Sequence, residues 1–390
     1  MAATVDRREA PLPGAPDPWA LSSQPVLRPA PPFLMTEMIA AEPSLAARIV
    51  RRLSVGPGLA DAAAACRQAA DGGEPIIITG CGTSHHAAMA LAALMTEALE
   101  RAGYPDPRVA AVQAFEASRR PPRGGVLMAV SHEGGTAATN DALRAATAAG
   151  ATTVLVTVSD RSPGAALATH VLATEEQDQS WCHTVGYLSP LVAGACLHGF
   201  VVGAVPTADA LAAQVAAGAD VSAAERLVEA LAGTDRLMVV GSGADYASAR
   251  ELALKVEEGV RLPTTAHELE TIRHGHLAAA TERTGLVAFL TDAEGRGAAL
   301  AERTASVLRA AAELGMPAVV IGAADRAGDS GPATGSQLVT LDPTLPRPVA
   351  AVLGAAIPLQ LLTERLARAR GANPDAIGRE DPRQAAAAAV

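Results

Sequence analysis

Aromatic residues are scarce in this chain of 390 residues, at 2% of the total, although hydrophobic residues make up 49%. A core without large rings has to be packed from Ala, Val, Leu and Ile, a mixture that is typical of strands covered by helices. One core does not usually serve a chain of this length. We therefore expect two domains of roughly 150 residues each, with additional segments.

The cysteines lack the spacing of a disulfide framework or of a zinc site. There are four of them, at Cys66, Cys81, Cys182 and Cys196, with no Cys-x-x-Cys pair and no spaced Cys/His set. The sequence therefore predicts a chain in a reducing compartment, without a structural metal ion or another cofactor.

Basic charge is also in short supply, because 31 Lys and Arg face 41 Asp and Glu, for a net charge of -10. Binding nucleic acid through a broad surface needs clustered Lys and Arg, so this function is disfavoured.

The first residues have no apolar stretch of the signal-peptide type. Residues 188–205 resemble a membrane span but are short, contain Gly and include His198, which predicts a buried core helix. We expect a cytoplasmic protein with neither a nucleic acid nor a membrane partner.

Strands and helices alternate along the chain in two similar halves. The apolar strand 76–80 (IIITG) runs into Gly-Cys-Gly-Thr-Ser and a long helix, and 237–241 (LMVVG) runs into Gly-Ser-Gly and a helix. This duplication predicts two modules built of parallel βαβ units. The predicted divisions are a flexible or surface-draped leader at 1–32, a first module at 33–205, a linker at 206–225, a second module at 226–370 and a tail at 371–390, whose final run of Ala is expected to be frayed.

Two turns of the first half carry hydroxyl groups where strands are predicted to end. Residues 80–84 (GCGTS) open a helix, whose N–H groups and dipole favour an anion. Residues 131–136 (SHEGGT) follow the next apolar strand, and ligands of open α/β sheets bind at such strand ends. Thr83, Ser84, Ser131 and Thr136 thus predict a phosphate or sugar site. The alternative for each turn is a tight bend with an N-cap hydroxyl.

In the second half, Glu251, Lys255 and Glu258 fall on one face of a predicted helix. Such a trio is commonly a solvated row of ion pairs. The nearby segment 264–277 (TTAHELETIRHGHL) is too polar for a core and strengthens the functional interpretation. Its histidines, His267, His274 and His276, have no firm ligand geometry, so we predict no metal site.

These motifs resemble the sugar isomerase (SIS) superfamily in its double-domain form, which includes phosphosugar isomerases, deaminases and deglycases. The resemblance covers about residues 33–382 and is carried by residues 80–84, by Ser131-x-x-Gly-x-Thr136, by the 251–258 helix and by His274-Gly275. It implies an α/β fold of two tandem SIS domains, each a flavodoxin-like parallel sheet flanked by helices. It also implies a homodimer with shared active sites.

The resemblance further implies roles for individual residues. Glu258 would carry a proton between C1 and C2 of a sugar, and His274, often lent by the neighbouring subunit, would assist ring opening. The implied substrate-binding residues lie within the matched motifs or beside them. They are Thr83, Ser84, Ser131, His132, Glu133, Thr136, His183, Glu251 and Lys255.

Two departures from the family pattern keep several functions open. Glu133 replaces the middle Ser of the phosphate loop, and residues 180–183 (SWCH) replace a Ser-Thr-Lys segment. The leading hypothesis is a sugar-phosphate aldose–ketose isomerase or an isomerising deaminase of amino sugar phosphates. The second is a deglycase or lyase that cleaves a C–N bond, or an enzyme for an unphosphorylated sugar. The third, from another class, is a non-catalytic sugar-binding sensor.

Overall fold

The structure, a computed structural model, describes residues 27–388, so nearly all of the predicted leader 1–32 lies outside the described residues. The chain divides into two compact units. The first contains Ala41–Asp178 and Val185–Ala213. The second contains residues 27–40, Gln179–Thr184 and the chain from Gln214 onward. The module boundaries drawn from the sequence stay predictions.

The first sheet has five parallel strands in the order β2-β1-β3-β4-β5. The elements in this part of the chain are α1 (Leu34–Leu53), α2 (Gly58–Asp71), β1 (Ile76–Gly80), α3 (Thr83–Arg101), β2 (Val109–Gln113), α4 (Ala114–Arg119), β3 (Val126–Val130), α5 (Ala137–Ala148), β4 (Thr152–Thr157), β5 (His170–Ala173), α6 (Val185–Val202) and α7 (Ala208–Ala216).

The second sheet repeats this topology with its own five parallel strands, in the order β7-β6-β8-β9-β10. Its elements are α8 (Val221–Leu231), β6 (Arg236–Gly241), α9 (Ala244–Val260), β7 (Thr264–Glu268), β8 (Thr284–Leu290), α10 (Ala298–Glu313), β9 (Ala318–Ala323), β10 (Gly335–Val339), α11 (Arg347–Ala369) and α12 (Pro382–Ala388). Within each sheet the second strand lies outside the first, which is the flavodoxin-like order. The predicted fold of two flavodoxin-like parallel sheets flanked by helices is confirmed.

Central strands of both sheets are buried along their whole length, as expected where helices cover both faces. All five residues of β3 (VLMAV) and all seven of β8 (TGLVAFL) are buried. The helices α6 and α11 are long and apolar enough to span a membrane, but 89% and 94% of their apolar windows are buried inside the protein. The predicted buried core helix at 188–205 is therefore confirmed as α6.

Small residues let the helices of the first unit approach closely. A Cβ at Gly194 of α6 would lie 2.8 Å from the side chain of Leu91 on α3, and α3 packs against α6. Alanine at position 194 would force that leucine to move, in a core that tolerates few such shifts. Small residues such as Gly194 thus allow close helix packing in a core that has few aromatic residues.

Two regions are more ordered than the sequence predicts. The predicted linker 206–225 contains α7 and the beginning of α8. The predicted tail 371–390 contains a 3-10 helix (Pro374–Ala376) and, after it, α12. The tail is ordered because Asp375 is fully buried and accepts hydrogen bonds from the first residues of α1.

Candidate functional site

The first hydroxyl-bearing turn joins β1 to α3. β1 ends at Gly80 and α3 begins at Thr83. A Cβ at Gly80 would lie 2.6 Å from the backbone of Ser84, so only glycine lets strand and helix approach this closely. Gly82 has a φ of 54°, a conformation that L side chains rarely adopt. The N–H groups of the first turn of α3 have no partner within the helix and favour an anion.

The second hydroxyl-bearing turn begins beside the first one. β1 and β3 pair in parallel, with Thr79 opposite Ala129. Ser131, directly after β3, is 2% exposed, and its hydroxyl has no hydrogen-bond partner within residues 27–388. Thr136, at the start of α5, is exposed. Two neighbouring helix N-termini with hydroxyl side chains form an arrangement that can bind a phosphate group.

His132 differs from the hydroxyl residues because its imidazole is buried and engaged. Nε2 accepts the N–H of Asp178 at 2.9 Å. Burial lowers the pKa of His132 to about 4, so the ring is neutral at pH 7. The ring lines a small cavity of about 10 Å³. This geometry favours a positioning role for His132. Substrate contact by His132 and by the half-buried Glu133 stays a prediction.

The segment that His132 contacts is held by a buried ion pair. Arg48 donates to the carboxylate of Glu176 through Nε at 2.7 Å and Nη2 at 3.0 Å. The two side chains are 7% and 0% exposed. Loss of one partner would leave an uncompensated buried charge, which costs about 3–5 kcal/mol. The pair therefore stabilises the backbone beside the turn that carries Ser131.

The helix α9 of the second unit holds the predicted acidic and basic residues together. The ammonium of Lys255 lies 2.5 Å from the carboxylate of Glu258 and 3.7 Å from that of Glu251. Lys255 and Glu251 are fully buried, whereas the Glu258 side chain is 24% exposed. This burial excludes the interpretation of the trio as a solvated row of ion pairs. Buried, closely coupled charges of this kind concentrate at functional sites.

The charge state of Lys255 follows from two opposing effects. Burial disfavours the ammonium, but the charges of Glu258, Cys182 and Glu251 outweigh it and raise the pKa of Lys255 above its ordinary value. Lys255 is therefore a cation at neutral pH and forms a close ion pair with Glu258.

Cys182, which was not among the predicted site residues, lies against α9. It is buried, and its thiol lies 3.8 Å from the carbonyl oxygen of Lys255. Its neighbour His183, a predicted binding residue, is half-buried. The only sequence signal for Cys182 was its place in the SWCH segment that departs from the family pattern.

His274 does not join the trio on α9. It lies between two 3-10 helices, Thr271–Arg273 and His276–Ala279. Its side chain is 70% exposed, and its Nε2 lies 2.9 Å from the carboxylate of Glu270. Nearby, the rings of His267 and His276 have their centres 4.0 Å apart. No group of three His, Cys, Asp or Glu side chains within the described part of the chain could hold a metal ion.

The turn between β6 and α9 repeats the backbone of the turn between β1 and α3. Gly243 has φ 60° and ψ -128°, against 54° and -129° for Gly82. A Cβ at Gly241 would lie 2.3 Å from the backbone of the residue four positions later, as a Cβ at Gly80 would lie 2.6 Å from its counterpart. The two units therefore share one turn geometry.

In the second unit, however, the helix N-terminus is already occupied by a side chain. The carboxylate of Glu294 accepts the N–H of Ala244 at 2.6 Å, and a Cβ at Gly243 would lie 2.1 Å from it. Asp245, the second residue of α9, is buried and accepts the N–H of Thr291 at 2.9 Å. The Glu294 carboxylate thus occupies the helix N-terminus where an external anion would bind.

Comparison with known proteins identifies relatives of this fold. A curated relative, the isomerizing glutamine–fructose-6-phosphate aminotransferase of Symbiobacterium thermophilum, is 34% identical over 154 residues, which are 40% of this chain and 24% of that protein. The chain therefore matches about a quarter of the length of that relative.

Solved structures with low sequence identity share this fold over most of the chain. The C-terminal domain of glucosamine-fructose-6-phosphate aminotransferase from Francisella tularensis superposes with a TM-score of 0.74 at 19% identity, covering 88% of this chain and 97% of that one. The tagatose-6-phosphate ketose/aldose isomerase of Escherichia coli gives 0.70 at 17% identity, covering 90% and 97%. At these identities the likeness shows the fold alone.

The family itself is established by a match to the SIS domain. The matched residues are 73–197 and 230–324, more than half of the chain. These two segments contain β1–β5 and β6–β9, respectively. The chain belongs to the SIS domain family.

Proposed function

We propose that this chain is a sugar-phosphate aldose–ketose isomerase, or an isomerising deaminase of amino sugar phosphates, with Glu258 as the base that moves a proton between C1 and C2. The observation that carries the proposal is the ion pair on α9. Lys255 is buried and forms an ion pair with Glu258 at 2.5 Å, and Glu258 is the partly exposed carboxylate of the trio.

The chemistry of proton transfer beside a carbonyl fits this arrangement. The base must be ionised before it can accept a proton from carbon, and the ion pair with Lys255 meets that need. As the proton leaves, negative charge develops on the carbonyl oxygen, and a fixed cation nearby stabilises it. A positioned general base contributes about 10²–10⁴-fold to such a step.

The substrate phosphate is assigned to the two turns of the first unit. Thr83, Ser84, Ser131 and Thr136 supply hydroxyl groups at the N-termini of α3 and α5, and the buried hydroxyl of Ser131 is not engaged by a described residue. The names of the relatives include fructose 6-phosphate and tagatose 6-phosphate, which supports a phosphorylated sugar as substrate.

His274 is proposed to assist ring opening in a neighbouring copy of the chain. Its imidazole is 70% exposed and is paired with Glu270 rather than with Glu258, which supports a role outside its own unit. Histidine exchanges protons between about pH 5 and 8, as ring opening requires. The proposal includes a cytoplasmic homodimer with shared active sites and a substrate-binding role for His183.

Glu133 favours one alternative, a deglycase or lyase acting on a sugar–amine adduct or on an unphosphorylated sugar. A carboxylate about 4 Å from a phosphate would cost from about 1 to about 4 kcal/mol, depending on screening. The same carboxylate could pair with a substrate ammonium. Release of ammonia or amine from a panel of amino sugars and their 6-phosphates separates C–N cleavage from simple isomerisation of hexose 6-phosphates.

The test of the base is Glu258→Gln, which keeps the size of the side chain and removes its basicity. We expect turnover to fall by about 10²–10⁴-fold, while calorimetry shows substrate affinity close to that of the wild type. The matched control is Glu257→Gln, at the next position on α9, where the side chain is exposed. Full turnover in the Glu258 variant would refute the assignment.

A further inference from the structure

One buried carboxylate anchors the carboxyl-terminal segment, residues 373–381. Asp375 lies in the 3-10 helix Pro374–Ala376 and is fully buried. Its two carboxylate oxygens accept the N–H groups of Leu34 at 2.7 Å and Met35 at 2.9 Å, the first two residues of α1. The first N–H groups of a helix need acceptors from outside the helix. Asp375 therefore caps α1 from a position 341 residues further along the chain.

The carboxyl-terminal segment also holds residues 179–184. The backbone carbonyl of Asp375 accepts the N–H of Trp181 at 3.3 Å. The guanidinium of Arg379 lies 4.4 Å from the centre of the Trp181 ring, a cation–π contact. The hydroxyl of Ser180 hydrogen-bonds to the Asp375 carboxylate and accepts the N–H of Cys182 at 3.1 Å. These contacts tie residues 180–182 to the carboxyl-terminal segment.

Both segments reach α9 beside the proposed base. Gly259, the residue after Glu258, is buried. A Cβ at Gly259 would lie 3.2 Å from the Cβ of Pro374 and 3.3 Å from the sulfur of Cys182. The last turn of α9 is therefore packed against the carboxyl-terminal segment on one side and against residues 179–184 on another.

We propose that Asp375 is a positioning residue for the reaction proposed above, on which this inference rests. Through the carboxyl-terminal segment and residues 179–184, Asp375 fixes the turn of α9 that carries Glu258 and the backbone that carries His183. A general base must lie within hydrogen-bond reach of the proton that it abstracts. A displacement of about 1 Å by a distant change can lower the rate about 100-fold.

The primary test is Asp375→Asn, because the amide nitrogen of Asn cannot accept the N–H that one carboxylate oxygen accepts. We expect kcat to fall about 10-fold to 100-fold, with KM within about threefold of the wild type, as for a residue that acts on the reaction step. The matched control is Asp381→Asn, which removes the same charge from the same segment. The Asp381 carboxylate pairs with Arg383, and this variant should keep the wild-type kcat.

A second readout follows residues 179–184 directly. The chain has two tryptophans, so a Trp19→Phe background leaves Trp181 as the only indole emitter. In this background Asp375→Asn should shift the emission of Trp181 to longer wavelength, whereas Asp381→Asn should not. A shifted emission with an unchanged kcat would overturn the positioning role, because the segment would have been released without effect.

A milder variant covers the case in which Asp375→Asn does not fold. Arg379→Gln removes the cation from Trp181, and we expect a loss of kcat smaller than 10-fold, with Arg383→Gln as its control. Wild-type kcat in Arg379→Gln would then overturn the proposal. The test is separate from that of Glu258: turnover retained in Glu258→Gln refutes the base, whereas turnover retained in Asp375→Asn refutes the positioning role alone.

Discussion

The turns that begin α3 and α9 have the same backbone conformation, but the first carries hydroxyl side chains and the second carries an acidic side chain. Thr83 and Ser84 open α3, whereas Ala244 and Asp245 occupy the equivalent positions of α9. In the first unit the hydroxyl of Ser131 is not engaged by a described residue. In the second unit the equivalent hydroxyl of Thr291 is hydrogen-bonded to Asp245. The two turns therefore share a backbone geometry that can favour an anion, and they differ in the side chains placed on it.

The electrostatic difference between the two turns supports the proposed binding of the phosphate by the first unit. Two acidic side chains lie at the N-terminus of α9: Glu294 accepts the N–H of Ala244, and Asp245 accepts the N–H of Thr291. Both carboxylates would repel a second anion. In the proposed reaction α9 contributes instead at its other end, through Glu258. The proposal of phosphate binding in the first unit and of proton transfer by Glu258 in the second is consistent with this chemical difference between the turns.

Among the effects that follow from comparing the two turns, the largest is expected for Ser84→Asp, which gives the first turn the acidic residue of the second. A carboxylate about 4 Å from the substrate phosphate costs from about 1 to about 4 kcal/mol, and the lost hydroxyl adds to that penalty. We expect the affinity for a hexose 6-phosphate to fall at least 10-fold, measured by calorimetry. The variant should fold, because an acidic residue in the first turn stabilises a helix.

Ser242→Asp, in the turn before α9, is the matched control for this experiment, and it should leave affinity for the sugar phosphate unchanged. If instead Ser84→Asp binds like the wild type and Ser242→Asp does not, the two units have been assigned in the wrong order. Equal losses in both variants would mean that both turns bind phosphate.

The fold and part of the site could be predicted from local sequence patterns. Strand–helix alternation and the repeated Gly-x-Gly turns give the topology of both units, and the i, i+4, i+7 spacing places Glu251, Lys255 and Glu258 on one face. The contact of His132 with Asp178 and the placement of Cys182 could not be predicted, because they join residues that local patterns do not relate. The chemical difference between the two turns, by contrast, is visible in the sequence, because aligning Gly82 with Gly243 places Ser84 opposite Asp245.

The next largest effect is a pH dependence of the protein's stability that arises from the second turn. Burial raises the pKa of Asp245 to about 6, and the charge of Glu294 adds to the shift, whereas hydrogen bonds from Thr291 oppose it; Arg347 also faces this carboxylate. The folded protein therefore binds this proton more tightly than the unfolded chain does. Stability falls as pH rises from about 4 to about 6, by about 3 kcal/mol for this group.

Asp245→Asn should remove this part of the pH dependence. Chemical unfolding between pH 4 and 7 should show that the wild type loses about 3 kcal/mol relative to the variant as pH rises. Asp209→Asn, at an exposed acidic residue in the first turn of α7, is the control and should follow the wild type. Parallel curves for the wild type and Asp245→Asn would show that Asp245 ionises alike in the folded and unfolded chains.

The smallest predicted effect is the influence of Glu294 on the same titration. Glu294→Gln keeps an oxygen that can accept the N–H of Ala244 but removes a negative charge near Asp245, which makes ionisation of Asp245 easier. The fall in stability that Asp245 causes should then occur at lower pH and shrink by about 1 kcal/mol or less, measured by the same unfolding series. Glu302→Gln, at an exposed position on α10, should not move it. Coincident curves for the wild type and Glu294→Gln would mean that Glu294 does not influence the ionisation of Asp245. The pH dependence of stability from the second turn would then come from Asp245 alone.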